Sequence, residues 1–344
     1  MQPHRESMFL SSIRSFCVAL FSILGIAVGI VVVVLLVAIV FGSTKEPAVS
    51  YDYVQYSDEN GDRNAGVAGP VILWLDVDGA IGTDQLNADN IAIQLLESRQ
   101  GLMTNRIKGM FLHINSPGGT VIDADKIYAS INEYKARFNI PVYAFVDGMC
   151  ASGGMYVACS ADKIYASEVS IIGSVGVYGR YFNVATLMDK MGVKCLTLKA
   201  GKHKDAMSPF EPWVAGEEAN DQSIVNFYYD HFVDIVTKAR PKITKEDLTQ
   251  KYGANVYVAE QALAYGYIDV VSPSYNKCMA DLARASGIKE DESYQVYGLE
   301  SSNWLQSLVK SESPVLTGKV THQIKFDEKF PCEFTNQCLY YYQP

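Results

Sequence analysis

The sequence is poor in histidine and has no closely paired cysteines. Its 344 residues hold five histidines, and none of its seven cysteines forms a C-x-x-C pair. A zinc or iron–sulfur centre therefore lacks its usual ligand spacing, and no metal or cofactor is expected. There is no long run of Lys and Arg, and the formal net charge is −9. The chain thus carries no electrostatic footprint for nucleic acid, and no such partner is expected. Sequence-level repeats are not evident. Charged residues make up 19% and hydrophobic ones 49%, which excludes a wholly disordered chain. What remains is enough chain for one large domain or two modest ones with a substantial core.

Charge is also missing locally. From Phe16 to Phe41 no residue is charged, and Ile26 to Val40 is almost entirely Ile, Val, Leu and Ala. That run exceeds the roughly 20 apolar residues needed to cross a bilayer. It is too long, and its end too bulky, for a cleavable signal peptide. Residues 16–42 therefore read as one uncleaved transmembrane helix. Arg5 and Arg14 outnumber Lys45 on the far flank, which places residues 1–15 in the cytoplasm and the main domain outside it. Residues 43–69 are polar, Gly- and Asp-rich and aperiodic, as a linker would be.

From Pro70 strands and helices alternate. Strands are expected over Val71–Val77, Ile107–Ile114 and Val142–Val146, with helices over Asp84–Arg99 and Asp123–Phe138 between them. Short strand-like pieces follow at Lys163–Ala166 and Ile171–Tyr178, then a helix at Val184–Met191 and a strand at Lys194–Lys199. A long amphipathic helix spans Glu217–Arg240, and its aromatic stripe suits core or a subunit interface. Thr244–Lys251 opens with a capping pattern. A short helix at Glu260–Ala264 runs into a strand at Tyr267–Val271. The whole indicates an α/β domain with a largely parallel sheet over residues 70–272. Past Ser274 the periodicity fades, so residues 273–344 are expected to be a poorly ordered extension. In this tail Cys332 and Cys338 are close enough for a local disulfide in an oxidising compartment.

The stretch from Pro141 to Met155, PVYAFVDGMCASGGM, carries the first chemical signal. Ser152 falls where a β-run gives way to Gly153-Gly154 and a helix start, beside unpaired N–H groups that attract negative charge. As a nucleophile it needs a base. His4 precedes the anchor and His322 lies in the tail. His113 lies inside a strand and His231 on a long helix, while His203 has no clear third partner. A Ser-His-Asp triad is poorly supported. The segment KAGKHKDAMSP supplies Lys199, Lys202 and Lys204 instead, for the serine–lysine variant of triad chemistry. An unperturbed lysine is neutral only about once in 2,500 at pH 7, so it would need burial or neighbouring positive charge. Donors for an oxyanion are available at Gly153 and in SPGG, where Gly118-Gly119 permit close backbone approach.

Five or six segments, in order and spacing, resemble the bacterial signal peptide peptidase A family in its short, single-domain form. They are INSPGG (Ile114–Gly119), DGMCASGGM (Asp147–Met155), IIGSVGV (Ile171–Val177) and GKHKDAMSP (Gly201–Pro209), followed by FVDIVTKAR (Phe232–Arg240) and NVYVAEQALAYGYID (Asn255–Asp269). The resemblance covers residues 70–272 and the anchor. It implies a Clp-protease/crotonase-like fold of stacked strand-strand-helix units and a membrane-anchored serine endopeptidase. On the matching positions Ser152 is the nucleophile and Lys204 the base, and Ser174 bonds the lysine. Gly119 and Gly153 form the oxyanion hole, and Lys199 and Lys202 have no role. Met155 stands where the family commonly has Tyr, and Cys150 replaces a small residue.

The implied partners are peptide substrates such as signal-peptide remnants, and further copies of the chain in a ring-like homo-oligomer whose neighbours complete the site. The implied location is the bacterial cytoplasmic membrane, with the catalytic domain on the extracytoplasmic side. Two other readings share the fold: a crotonase-like acyl-CoA enzyme, which would need neither anchor nor Ser-Lys pair, and a catalytically inactive scaffold. The tyrosine-rich tail is a further candidate to lie in or near the active-site groove.

Overall fold

The uncharged N-terminal run forms a single helix, α1 (Met8–Phe41), and the stretch Phe16–Val33 is long and apolar enough to cross a membrane. The structure, a computed structural model, describes residues 8–41, 51–64, 69–301 and 339–341.

The body that follows is built on a nine-stranded sheet. In chain order its elements begin with β1 (Tyr51–Tyr56), β2 (Val71–Asp78), α2 (Ala88–Glu97), β3 (Ile107–Ser116), β4 (Gly118–Thr120) and α3 (Val121–Phe138). There follow β5 (Val142–Ala151), α4 (Gly153–Ala158), β6 (Lys163–Ala166), β7 (Ile171–Gly173), α5 (Ala185–Lys190) and α6 (Ala219–Ala239). The last are β8 (Val256–Val258), α7 (Ala259–Tyr265), β9 (Val270–Val271), α8 (Asn276–Ala285), β10 (Gln295–Ser301) and β11 (Leu339–Tyr341). The main strand order is β1-β10-β2-β3-β5-β6-β9, and β7 pairs with both β5 and β8. The pairs β2–β3, β3–β5 and β5–β6 are parallel, so helical crossovers must cover the sheet.

Both faces of the central strands are accordingly apolar. Val71, Leu73, Leu75 and Val77 of β2 meet α2, α3 and α4 on one side, while Ile72 and Trp74 pack with Phe111, Phe145 and α8 on the other. Fully burying such side chains contributes about 1.5–3 kcal/mol each. Helix starts follow local chemistry. Asn87 accepts from the N–H of Asn90 at 2.9 Å to open α2, and Thr120 accepts from that of Asp123 at 3.2 Å to open α3.

One deviation builds the site. The expected strand Val142–Val146 continues to Ala151 by changing partner. Tyr143–Val146 pair with β6, whereas Met149–Ala151 pair with β7. The hinge is Gly148, with φ at 117°, where a Cβ would sit 2.6 Å from the Asn115 side chain. The strand thereby carries Ser152 to the edge where β7 and β4 meet it.

Other differences lie toward the termini. Strand β1 falls inside the stretch read as linker, because its backbone completes an outer position next to β10. The segment past Ser274, expected to be poorly ordered, contains α8 and β10. Helix α8 buries Cys278, Met279, Leu282 and Ala283 against the second face, and β10 adds a parallel strand beside β2. The weak period there reflects a helix whose narrow apolar face alternates with Lys, Asp and Arg. In contrast, Lys194–Lys199 forms no strand. Its Leu196 and Leu198 are 83% and 88% exposed, and no described strand edge pairs with it. Strand β11 pairs antiparallel with β4. Cys332 and Cys338 lie outside the described residues. Cys150 and Cys159 are buried, and burial pushes both thiols up, Cys159 to about 12, so they behave as small hydrophobes.

Candidate active site

Ser152 sits at the junction of β5 and α4 with φ 54° and ψ −115°, a backbone state that ordinary residues avoid. Strain of this kind persists only where neighbours over-determine it. Here the Ser152 N–H donates to the Gly173 carbonyl at 2.9 Å, and its carbonyl accepts from Tyr156 N–H at 2.9 Å. The side chain is 1% exposed, and its hydroxyl donates to the Gly176 carbonyl at 3.5 Å. A hydroxyl with one long bond is restrained yet free to re-aim. The next residue, Gly153, opens α4, and no described hydrogen bond occupies its N–H.

Gly119 comes from β4. Ile81 N–H donates to Gly118 carbonyl at 2.8 Å, and Thr120 N–H donates to Ile81 carbonyl at 3.0 Å. Backbone alternation therefore turns the Gly119 N–H away from Ile81, toward the side of β4 on which β11 pairs. Strand β4 packs on α4, and Ser116 pairs with Cys150, so the two glycine segments converge around Ser152. Two N–H groups aimed at one region beside a serine suit the stabilisation of a tetrahedral oxyanion.

Ser174 follows β7, directly beside Ser152 through the Ala151–Gly173 pairing. It is buried, with φ 55°, and its N–H donates to Asn255 carbonyl at 2.7 Å. Lys204 is different. It is exposed in the loop after α5, and no described hydrogen bond links it to Ser152 or Ser174. The loop is held by a neighbour. Lys199 donates to Asp205 at 2.6 Å, which raises the Lys199 pKa and lowers that of Asp205. Lys199, without a role on sequence grounds, thus braces the backbone next to Lys204. The loop's arm exposes Phe182, Leu187, Met191, Phe210 and Val214.

Of the sequence-derived residues, then, the fold gathers Ser152, Gly153, Gly119 and Ser174 within one chain and leaves Lys204 outside that cluster. The carbonyls of Gly176 and Asn255 belong to the site's framework but have no sequence signal, since any residue offers a carbonyl. His113 instead bonds Asp76 at 2.8 Å, and His231 lies 3.5 Å from Asp125.

A strained serine between a strand and a short helix, facing glycine N–H groups on a mixed α/β sheet, defines a serine peptidase of the Clp-protease/crotonase type. The Clp protease family model matches residues 78–172, spanning both glycine segments. The model for peptidase family S49 matches residues 135–289, from the end of α3 through α8. It is 27% identical over 341 residues to an Enterococcus faecium protein named "Putative signal peptide peptidase SppA", covering 92% of this chain and 96% of that one. It is 29% identical to the chloroplastic serine protease SPPA of Arabidopsis thaliana, over 53% of this chain and 27% of that longer protein. Among solved structures it is similar to a serine-to-alanine mutant of 1510-N, a membrane-bound stomatin-specific protease. That likeness has 15% identity and a TM-score of 0.42, and covers 69% of this chain and all of the other.

Proposed function

We propose that this serine peptidase is a membrane-anchored endopeptidase in which Ser152 and Lys204 form the catalytic dyad. The observation that carries the reading is the strained, buried Ser152 with the unoccupied Gly153 N–H beside it. Ser152 Oγ attacks the peptide carbonyl, and Lys204 Nζ takes its proton. The N–H groups of Gly119 and Gly153 hold the oxyanion, Lys204 returns the proton to the leaving amine, and water hydrolyses the acyl-enzyme. Ser174 accepts from the lysine and keeps it aimed.

Lys204 reaches Ser152 from a neighbouring copy in a ring-like homo-oligomer. Its exposure, on an arm that also exposes Phe182, Met191 and Phe210, supports a site shared between subunits. The apolar helix α1 supports anchoring in a bacterial cytoplasmic membrane with the catalytic body outside. Substrates are extended peptides near that membrane, such as signal-peptide remnants, bound by strand addition.

Purified full-length chain in detergent should hydrolyse a fluorogenic peptide, and Ser152→Ala or Lys204→Ala should each lower kcat by about three orders of magnitude or more. Undiminished cleavage in either variant overturns the dyad. No hydrolysis by any form returns the protein to a scaffold role.

A further inference from the structure

Strand β5 approaches Ser152 with two more residues than its neighbour β3 uses for the same span. Ile114 pairs with Val146 and Ser116 with Cys150, so Asn115 alone stands opposite Asp147, Gly148 and Met149. The backbone of Asn115 does not serve this excess, since its carbonyl accepts from Gly79 N–H on the β2 side at 2.9 Å. Its side chain does. Asn115 Oδ1 accepts from Met149 N–H at 3.1 Å, and its Nδ2 donates to Asp78 at 2.9 Å. A carboxylate only accepts, so Asp78 decides which way the amide points and keeps its oxygen toward Met149. From the other side, Gly148 N–H donates to the buried Ser170 Oγ at 3.2 Å. By strand alternation the Asn115 side chain lies on the face of Phe111 and His113, away from α4.

We propose that Asn115 is a positioning residue for the nucleophile, with its amide held in orientation by Asp78. The proposal rests on the peptidase reading above, in which Ser152 must meet the Gly119 and Gly153 N–H groups. Asn115 bonds to none of these and acts through β5. Ser152 follows Met149 by about 10 Å of strand, so a tilt of about 6° at the bulge moves it by about 1 Å. A misplacement of about 1 Å can cost about a hundredfold in rate, because the attacking oxygen leaves its near-attack position. The Gly148 hinge does not fix that direction by itself, since glycine at φ 117° has wide conformational freedom. The Asn115 amide and the Ser170 hydroxyl supply the restraint, one from each side. Strand β4 packs on α4, so a peptide paired to β4 lies away from the Asn115 amide. Loss of the amide should therefore act on turnover rather than on substrate binding.

The test is fluorogenic-peptide kinetics on the full-length chain in detergent, run well below each variant's thermal midpoint. Asn115→Ala should lower kcat by about tenfold or more and leave KM within about twofold of wild type. Asn115→Asp keeps an acceptor for the Met149 N–H but loses the donor and sets two carboxylates side by side. It should lose about as much turnover as the alanine variant. Adding Asp78→Asn to it restores one donor and one acceptor with their roles exchanged, and should return kcat to within about threefold of wild type. A residue needed only for stability would lower the thermal midpoint without this kcat-against-KM split or this rescue. A loss confined to KM, an Asn115→Ala kcat within about twofold of wild type, or a double variant no faster than Asn115→Asp would each overturn the proposal and leave the peptidase reading in place. If Asn115→Ala does not fold, the comparison of Asn115→Asp with the double variant decides. If wild type itself leaves the peptide uncut, the peptidase reading fails and the positioning role fails with it.

Discussion

The carbonyl oxygen of Ile81 stands far inside van der Waals contact of the position a Cβ on Gly119 would take. The clash is with backbone, which has no rotamer to yield, and Ile81 is itself buried and bonded to Gly118 and Thr120. Gly119→Ala must therefore push β4 outward and with it the N–H assigned to the oxyanion. The expected loss is about 10²–10³ in kcat, the range for removing one oxyanion donor. Peptide kinetics beside a thermal melt check it: near-normal activity in a folded variant would exclude Gly119 from the oxyanion hole.

A site shared between copies makes a different kind of prediction. Ser152→Ala subunits keep a working lysine, and Lys204→Ala subunits keep a working serine. Co-expressed in equal amounts, the two inactive variants should recover activity, because about a quarter of the heterologous interfaces pair an intact serine with an intact lysine. Recovery in co-expressed but not separately prepared and mixed stable rings would locate the complementation within the oligomer. A mixture as dead as its parts would place both residues of each site in one chain.

The buried Arg240 forks onto the partly exposed Asp269, with Nη1 and Nη2 each donating to a carboxylate oxygen at 2.8 Å while Nε donates to the Gly266 carbonyl at 2.9 Å. Burial alone pushes the Asp269 carboxyl up, but its bonds to Arg240 and to the Ile164 N–H outweigh this and hold its pKa below the usual value. A depressed carboxylate stabilises the fold above its unfolded pKa, and that stability is lost as pH falls through the folded one. Arg240→Ala removes three hydrogen bonds but leaves a carboxylate that water reaches, and should cost about 1–2 kcal/mol near neutral pH. Urea midpoints for wild type and variant should converge as the solution is made acid; a constant gap down to the acid limb would assign the loss to packing instead.

His113 should give the opposite pH signature. Burial draws its imidazole pKa down, but the hydrogen bond and charge of Asp76, with Asp147 and Asp78 nearby, prevail and raise it above 6.5. The associated stability is complete below the unfolded pKa and is lost as pH rises through the folded one. Thermal midpoints should therefore drift downward from about pH 6 to about pH 8, and Asp76→Asn should flatten that drift. An unchanged slope in the variant would remove the pair as its cause.

Much of the site was legible because its signals are local. A glycine pair after a β-run, a serine at a helix start and an uncharged run of 26 residues each follow from neighbours in the sequence. So Ser152, Gly153, the Gly118-Gly119 pair and the apolar N-terminal helix could be singled out from residue types and spacing, while the choice of Gly119, and Ser174 and Lys204 with it, came from family resemblance. The strand Lys194–Lys199 shows where that reasoning stops: its β-like composition found no edge to pair with, and Leu196 and Leu198 stand in solvent.

The sequence by itself determined the α/β class, the order of the central strands and helices, and the residue types that make acyl chemistry possible. Only the tertiary structure decided which edges those elements meet. It turned β5 from β6 to β7 at Gly148, which set Ser152 in its strained state. It set β10 beside β2 and β11 beside β4, and it put Lys204 on an exposed arm rather than at the serine. Strand pairing joins residues far apart in the chain through backbone groups that every residue carries, so side-chain pattern holds little record of it.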